Sequence, residues 1–166
     1  MTVELVQRVR DCPVDVEAYL SRVSRILERL EIRGRSLSLA FVDDEEMRGL
    51  NHTWRGRDRT TDVLSFAQEL PPGADLEGDA KPPLGDVIIS VERARLQAEE
   101  RDASLGGVGY GLLDELTFLT LHGVLHLLGH DHVSEEEAEE MEALETRIFG
   151  EFSEHPPRSH HQEGAE

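Results

Sequence analysis

The chain has 166 residues, of which 38% are hydrophobic, and this fits a single globular domain with a core of its own. Its 17 basic and 35 acidic residues give a net charge of −18, which repels nucleic acid at long range and excludes strong nonspecific binding to it. A single cysteine, an N-terminus without the apolar core of a secretion signal, and the absence of an uncharged run as long as a bilayer span predict a cytosolic protein.

Hydrophobic periodicity in the first half of the chain predicts strands that alternate with helices. The expected elements are a strand at residues 3–9, a helix at 13–32, and strands at 36–42 and 63–66. Before the last of these strands, Asp43 or Asp44 can cap a short helix that leads into a loop carrying Trp54 and the arginine cluster. The arginine cluster consists of Arg55, Arg57 and Arg59 and is the densest basic feature of the sequence.

The second half of the chain predicts one more strand and three helices. The expected elements are a polar loop at residues 71–83, a strand at 87–91, a helix at 92–101, a glycine-rich connector at 104–111, and helices at 114–128 and 134–149. The helix at 114–128 is apolar nearly all round, so we expect it to lie at the centre of the fold. We expect one domain at residues 1–152 and a disordered polar tail at 153–166.

The last predicted helix is amphipathic. Ser134 and Glu137 form a capping box at its start. Its inner face is predicted to consist of Ala138, Met141, Leu144 and Ile148. The helix also carries seven acidic residues, most of which we expect on a solvated face.

Three of the four histidines in the segment LHGVLHLLGHDH have the spacing H-x3-H-x5-H. His122 and His126 are one helical turn apart and therefore project from the same face. Gly129 can take the left-handed conformation that ends a helix, which would bring His132 back to the same point. Any one of these side chains alone would be read as a core histidine. Three imidazoles at this spacing instead predict a Zn²⁺ site with a fourth position open for water, which is the catalytic arrangement.

The residue after the first histidine separates this segment from the common zinc-peptidase motif H-E-x-x-H-x-x-G-x-x-H. Gly123 stands where that motif has its glutamate. The glutamate is the general base that deprotonates the metal-bound water in those peptidases. The sequence therefore disfavours a peptidase of that type, although a zincin-like helix and turn remain expected.

At the level of motifs the chain resembles the YbeY-type endoribonucleases, which are rRNA maturation factors of the UPF0054-like metalloprotein family. The family pattern H-G-x-L-H-L-x-G-[YH]-D-H appears as HGVLHLLGHDH, and L-N-x-x-[YW]-R-G-x-D-x-x-T-D-V-L-S-F appears as LNHTWRGRDRTTDVLSF. A third element, L-G-D-[IV], falls at residues 84–87, and the resemblance runs from about residue 5 to 149. His130 departs from the pattern of many relatives, which have Tyr there, and a part for this fourth imidazole in metal binding or proton transfer stays open.

The resemblance implies a metal-dependent endoribonuclease that prefers single strands and acts in maturation of the 16S rRNA 3′ end and in ribosome quality control. It implies one Zn²⁺ on His122, His126 and His132, and a functional arginine at Arg55. The expected partners are the single-stranded 16S rRNA precursor, the small ribosomal subunit and an assembly GTPase, with neither DNA nor a membrane.

The chemistry of phosphodiester cleavage is consistent with these residues. Cleavage builds negative charge on phosphate oxygens, which a Lewis-acidic ion and a fixed guanidinium both stabilise. Arginine suits this task because its planar fork binds phosphate through two parallel hydrogen bonds. From spacing alone, however, Arg55 is equally well read as a solvated surface residue.

The negative charge is unevenly distributed. Residues 1–60 hold 11 basic and 11 acidic residues, so the whole net charge of −18 lies beyond Thr60. A local positive patch at the arginine cluster can therefore hold a few phosphates, while affinity for free RNA should be weak. This favours a substrate that is presented by the ribosome or by a partner.

Several residues have two readings that the sequence leaves open. Asp131 either orients a ligand imidazole or helps to form the turn. Trp54 either stacks on an RNA base or packs inside the protein. Asp62 and Ser65 either stabilise the start of a strand or take part in the site, and Asp86 is read as structural rather than as a general base.

Two other functions remain as alternatives. The first is a zinc hydrolase of peptide or amide bonds that uses a base elsewhere in the chain. The second is a zinc-stabilised ribosome assembly factor without catalysis of its own. In each case we expect an α+β, zincin-like fold, in which a mixed sheet of about four strands packs on a central metal-bearing helix.

Overall fold

A computed structural model describes residues 3–68, 81–130 and 134–155. The elements in these ranges are β1 Val3–Gln7, α1 Val16–Arg29, β2 Leu37–Val42, α2 Asp44–Arg55, β3 Val63–Ala67, β4 Gly85–Ser90, α3 Val91–Ser104, α4 Leu112–Leu127 and α5 Glu135–Phe149. Strands and helices belong to the same folded unit, and this confirms the predicted α+β fold class.

The four strands form one mixed sheet in the order β1-β2-β4-β3. β1, β2 and β4 run parallel, whereas β3 is antiparallel to β4 and forms an edge. The predicted mixed sheet of about four strands is therefore confirmed. Alternate residues of each strand point to opposite sides of the sheet, so its inner and outer faces carry different residues.

The inner face of the sheet forms the core with the helices. Leu37, Leu39 and Phe41 of β2 are buried there, as their alternation predicts. α4 is buried along almost its whole length and contacts α1, α3, α5, β3 and β4. The Tyr19 hydroxyl and the Thr120 hydroxyl, 2.7 Å apart, join α1 to α4 inside this core. The prediction of a central, nearly all-apolar helix is thus confirmed.

α2 is longer than the sequence suggested, and this changes the position of two functional candidates. Trp54 and Arg55 lie in its last turn rather than in a loop. The helix continues until Gly56, which has a φ of 70° and takes the left-handed cap conformation that glycine adopts without a steric penalty. Arg57 and Arg59 do lie in the following loop.

Two boundaries near β4 also differ. The strand begins at Gly85. Val91, which the sequence predicts as the last residue of this strand, is instead the first residue of α3. Ser90 caps that helix, because its side chain accepts a hydrogen bond from the Arg93 amide. Most of the predicted polar loop at residues 71–83 and most of the tail lie outside the described residues. The domain limit at residue 152 stays a prediction.

Candidate metal and phosphate site

Two of the three predicted metal ligands lie side by side on α4. The His122 and His126 Nε2 atoms are 3.0 Å apart, and His122 is buried while His126 is half-buried. Tetrahedral Zn²⁺ with bonds of about 2.0–2.1 Å holds two ligand nitrogens roughly 3.3 Å apart. The separation therefore fits two imidazoles that share an ion. Without an ion, one Nε2–H can be donated to the other ring's lone pair.

A buried carboxylate fixes the orientation of the first imidazole. Glu145 on α5 lies 3.0 Å from the Nδ1 atom of His122, and the two side chains are 4% and 6% exposed. An Nδ1–H that is donated to this carboxylate leaves the lone pair of His122 on Nε2, the atom that faces His126. Carboxylates hold metal-binding histidines in this way, so the donor set fits zinc.

Sequence reasoning missed Glu145 because it placed most of the seven acidic residues of this helix on a solvated face and singled out none of them. The helical spacing of the sequence nevertheless contained a signal that Glu145 is buried. Ala138, Met141 and Ile148 are buried as predicted, and Glu145 continues their spacing as a buried residue, whereas Leu144 is only half-buried. A carboxylate at a position where the helical period calls for an apolar residue needs a buried partner.

The end of α4 has the turn that the sequence predicts. Gly129 has a φ of 95°, and its amide donates to the His126 carbonyl while the His130 amide donates to Leu125. His132, the predicted third ligand, and Asp131 lie outside the described residues. Within the described part of the chain, no third His, Cys, Asp or Glu completes a metal site with His122 and His126. His130 therefore stays without an assigned part.

Gly123 allows α4 to approach the sheet closely. A Cβ atom at this position would lie 2.7 Å from Cγ1 of Val87 on β4 and 3.0 Å from Oγ of Ser65 on β3. A glutamate side chain has no room there. The peptidase base is thus replaced by a close contact between helix and sheet, which supports the sequence argument against a peptidase of that type.

Arg55 lies next to the strand that packs on α4. Its Nη2 donates to the Ser65 carbonyl at 2.9 Å, and its guanidinium lies 5.3 Å from the centre of the Phe66 ring. The Ser65 hydroxyl in turn donates to the Gly123 carbonyl at 3.2 Å. Ser65 therefore connects the arginine to the helix that carries the histidines. Arg55 is exposed, and its guanidinium retains donors on two further nitrogens for an anion.

The rest of the arginine cluster is held by a buried asparagine that sequence reasoning missed. The Asn51 side chain donates to the Arg59 carbonyl at 2.8 Å, and the Asn51 carbonyl accepts from the Arg57 amide at 3.3 Å. Asn51 is 2% exposed. A buried amide without partners would be costly, so this residue specifies the loop that follows α2.

Asp62 contacts the elements around the start of β3. Its carboxylate accepts from Gln97 on α3 at 3.3 Å, and its backbone carbonyl accepts from the Ser90 amide. Nearby, Asp44 accepts from the hydroxyls of Ser90 and Thr60 at 2.6 and 3.1 Å. The polar residues of the long motif thus largely build the framework around the arginine cluster.

Comparison with known proteins identifies the family. A family model described as Endoribonuclease YbeY matches residues 5–153. The chain belongs to this family. An Endoribonuclease YbeY of Bacillus licheniformis is 44% identical over 122 residues, which cover 72% of this chain and 73% of that protein. A second, from Bacillus pumilus, is 40% identical over 142 residues, which cover 80% and 85%. The resemblance inferred from the motifs is confirmed.

A solved structure supports the fold of this YbeY family member. A solution structure of a protein from Thermotoga maritima aligns with 91% of each chain at a TM-score of 0.52 and 24% sequence identity. No helix among the described residues is long and apolar enough to cross a membrane.

Proposed function

We propose that the chain is a zinc-dependent endoribonuclease that cleaves single-stranded RNA at the site between α4 and Arg55. The observation that carries the proposal is the pair of Nε2 atoms of His122 and His126, which meet at 3.0 Å while Glu145 holds the opposite side of the first ring. This arrangement occurs in a chain whose family model is described as an endoribonuclease.

His122, His126 and His132 would hold one Zn²⁺. The chemistry that such an ion supplies is Lewis-acid polarisation of a phosphate oxygen or activation of a water. Glu145 keeps the lone pair of His122 on Nε2. The two histidines lie on one face of the same helix, so their positions relative to the ion would be well defined.

Arg55 would bind the phosphate whose charge grows during cleavage. The Ser65 carbonyl and the Phe66 ring hold the guanidinium, so little reorganisation is needed when an anion arrives. The chain's charge of −18 limits its affinity for free RNA. We therefore propose that the substrate is the 3′ region of the 16S rRNA precursor, presented on the small ribosomal subunit in the cytosol, with an assembly GTPase as a further partner.

The test compares cleavage of a labelled single-stranded RNA by the purified wild-type protein and by Arg55→Ala and His126→Ala. Both variants should lose most of their activity, and His126→Ala should also lose bound zinc. Arg57→Ala is the matched control, because it removes the same charge from the same cluster and should retain more activity. Undiminished cleavage in both site variants would overturn the proposal. A peptide or amide substrate with a chelator control checks the alternative hydrolase in the same preparation.

A further inference from the structure

The outer face of the sheet is only partly covered. α2 packs on it at Val42 and Leu64 through Met47, and the rest of this face forms a groove of about 540 Å³, within the size range of ligand-binding clefts. One row of residues crosses the whole sheet along its floor. In order across the strands, the row is Glu4, Ser38, Asp86 and Phe66. The next row, Val6, Ala40 and Ile88, is apolar.

The aromatic end of the groove adjoins Arg55. Trp54 lines the groove and is 65% exposed, and its ring meets the Phe66 ring edge-on at 6.1 Å. The Arg55 guanidinium lies over the same Phe66 ring. An exposed indole beside a fixed arginine is the combination with which proteins bind single-stranded nucleic acid, since the ring stacks on a base and the cation binds the phosphate.

The acidic part of the groove determines what else a ligand must offer. Asp86 is half-buried, and within the described part of the chain its carboxylate has no hydrogen-bond or ion-pair partner. A carboxylate only accepts hydrogen bonds, and together with Glu4 it repels an anion from the floor. The ligand therefore needs a flat ring, N–H donors that reach the floor, and a negative charge that stays outside, near Arg55.

A nucleotide of single-stranded RNA meets these three conditions. We infer that the groove is a base-binding subsite that takes a base with an exocyclic amino group, namely cytosine, adenine or guanine, while the adjoining phosphate lies at Arg55. The inference rests on the proposed function. In the subsite the base stacks on Trp54 and its amino group donates to Asp86, with Ser38 as a second polar neighbour. Uracil is disfavoured because its O4 atom is an acceptor and would face the carboxylate.

Trp54 is the only tryptophan of the chain, so its fluorescence reports directly on the groove. The experiment titrates the full-length protein with hexanucleotides of C, A and U, with excitation where nucleotides do not absorb, and follows total binding in parallel by anisotropy of end-labelled RNA. C and A should quench the emission and bind about tenfold more tightly than U. Trp54→Leu should weaken binding about tenfold, and Trp54→Phe should restore most of it.

The Asp86→Asn variant separates base recognition from general affinity. It should retain the fluorescence response and lose the preference for C over U, because an amide can also donate to O4 of uracil. Arg55→Ala should weaken all three oligonucleotides alike and keep their order. Glu100→Gln, which neutralises an exposed carboxylate on α3, serves as the charge control and should change nothing.

Each outcome decides between the two proposals. RNA that binds by anisotropy but leaves Trp54 emission unchanged would overturn the base subsite, and the acidic groove would then suit a basic protein surface. An unchanged C-over-U preference in Asp86→Asn would overturn the assignment of Asp86. Loss of cleavage in His126→Ala together with intact fluorescence quenching would support the base subsite, because it would show that the substitution affects the metal site and not base binding. No binding of any oligonucleotide would overturn the base subsite, whereas the proposed function is tested separately by the cleavage assay with Arg55→Ala and His126→Ala.

Discussion

Replacement of Glu145 is the sharpest test of how the histidine pair is held. In Glu145→Ala the Nδ1–H of a side chain that is only 6% exposed loses its acceptor. Hydrogen bonds to charged groups contribute about 1.5–3 kcal/mol to stability. The variant also no longer buries a charged carboxylate, and the removal of this desolvation cost offsets part of the loss. We therefore expect the metal-free variant to lose about 1–2 kcal/mol of unfolding free energy.

The larger effect should fall on metal affinity. Without the carboxylate, His122 can place its proton on Nε2 and turn its lone pair away from His126. Loss of such a supporting contact weakens metal binding by about 10- to 100-fold, or about 1.4–2.7 kcal/mol. At a fixed zinc concentration well above the dissociation constants, the stabilisation that zinc confers should fall by the same amount.

The assay has two parts. Competition with a chromophoric chelator gives the Zn²⁺ dissociation constant, and urea unfolding with and without zinc gives the free energies. Glu140→Ala is the matched control, because it removes a carboxylate from the exposed side of the same helix. Glu145→Gln should fall between the wild-type protein and Glu145→Ala, since its amide oxygen can still accept from Nδ1. Wild-type zinc affinity in Glu145→Ala would refute the positioning argument.

Three further predictions follow from other contacts. Arg55→Lys should lower the cleavage rate about a hundredfold, almost as much as Arg55→Ala, because an ammonium cannot bind phosphate through a planar fork; near wild-type rates with Lys would show that charge alone suffices. Gly123→Ala should gain about 1 kcal/mol of helix propensity and lose about 1–3 kcal/mol to the overlap with Val87. Urea unfolding should therefore show net destabilisation that disappears in a Val87→Ala background, and destabilisation of equal size in both backgrounds would contradict this. Burial raises the pKa of both tyrosines, Tyr19 and Tyr110, the latter also through the nearby Glu115 carboxylate. Because the folded-state pKa exceeds that of the unfolded chain, stability should fall as pH rises above about 10, and tyrosinate absorbance should appear only together with loss of circular dichroism.

The parts of the fold that follow local periodicity could be predicted from the sequence. The shared face of His122 and His126 follows from the helical repeat, and the turn at Gly129 follows from the conformational freedom of glycine. The order of the strands in the sheet did not follow, because nothing local specifies which strands pair. Local signals also placed Trp54 in a loop, although the helix continues to Gly56.

The contacts that complete the site depend on tertiary packing. Glu145 is 23 positions from His122 along the chain, and its acidic neighbours conceal it among residues that face solvent. Asn51 lies one helical turn after the buried Met47, but nothing in the sequence shows that its side chain supports the loop with Arg57 and Arg59. A buried polar residue is recognisable from sequence when it interrupts an apolar period, as Glu145 does between Met141 and Ile148 and Asn51 does one turn after Met47.

Gly123 and Glu145 together constrain the orientation of the histidine pair. At Gly123 the missing side chain brings α4 against Val87 and Ser65, which fixes the rotation of the helix about its axis. On α5, Glu145 fixes the ring of His122. A glutamate at position 123 would undo the first contact, so a peptidase base and this helix–sheet contact exclude each other. In place of a peptidase base, position 123 provides a close contact between α4 and the sheet, which suits a reaction that depends on the positioning of phosphate and charge.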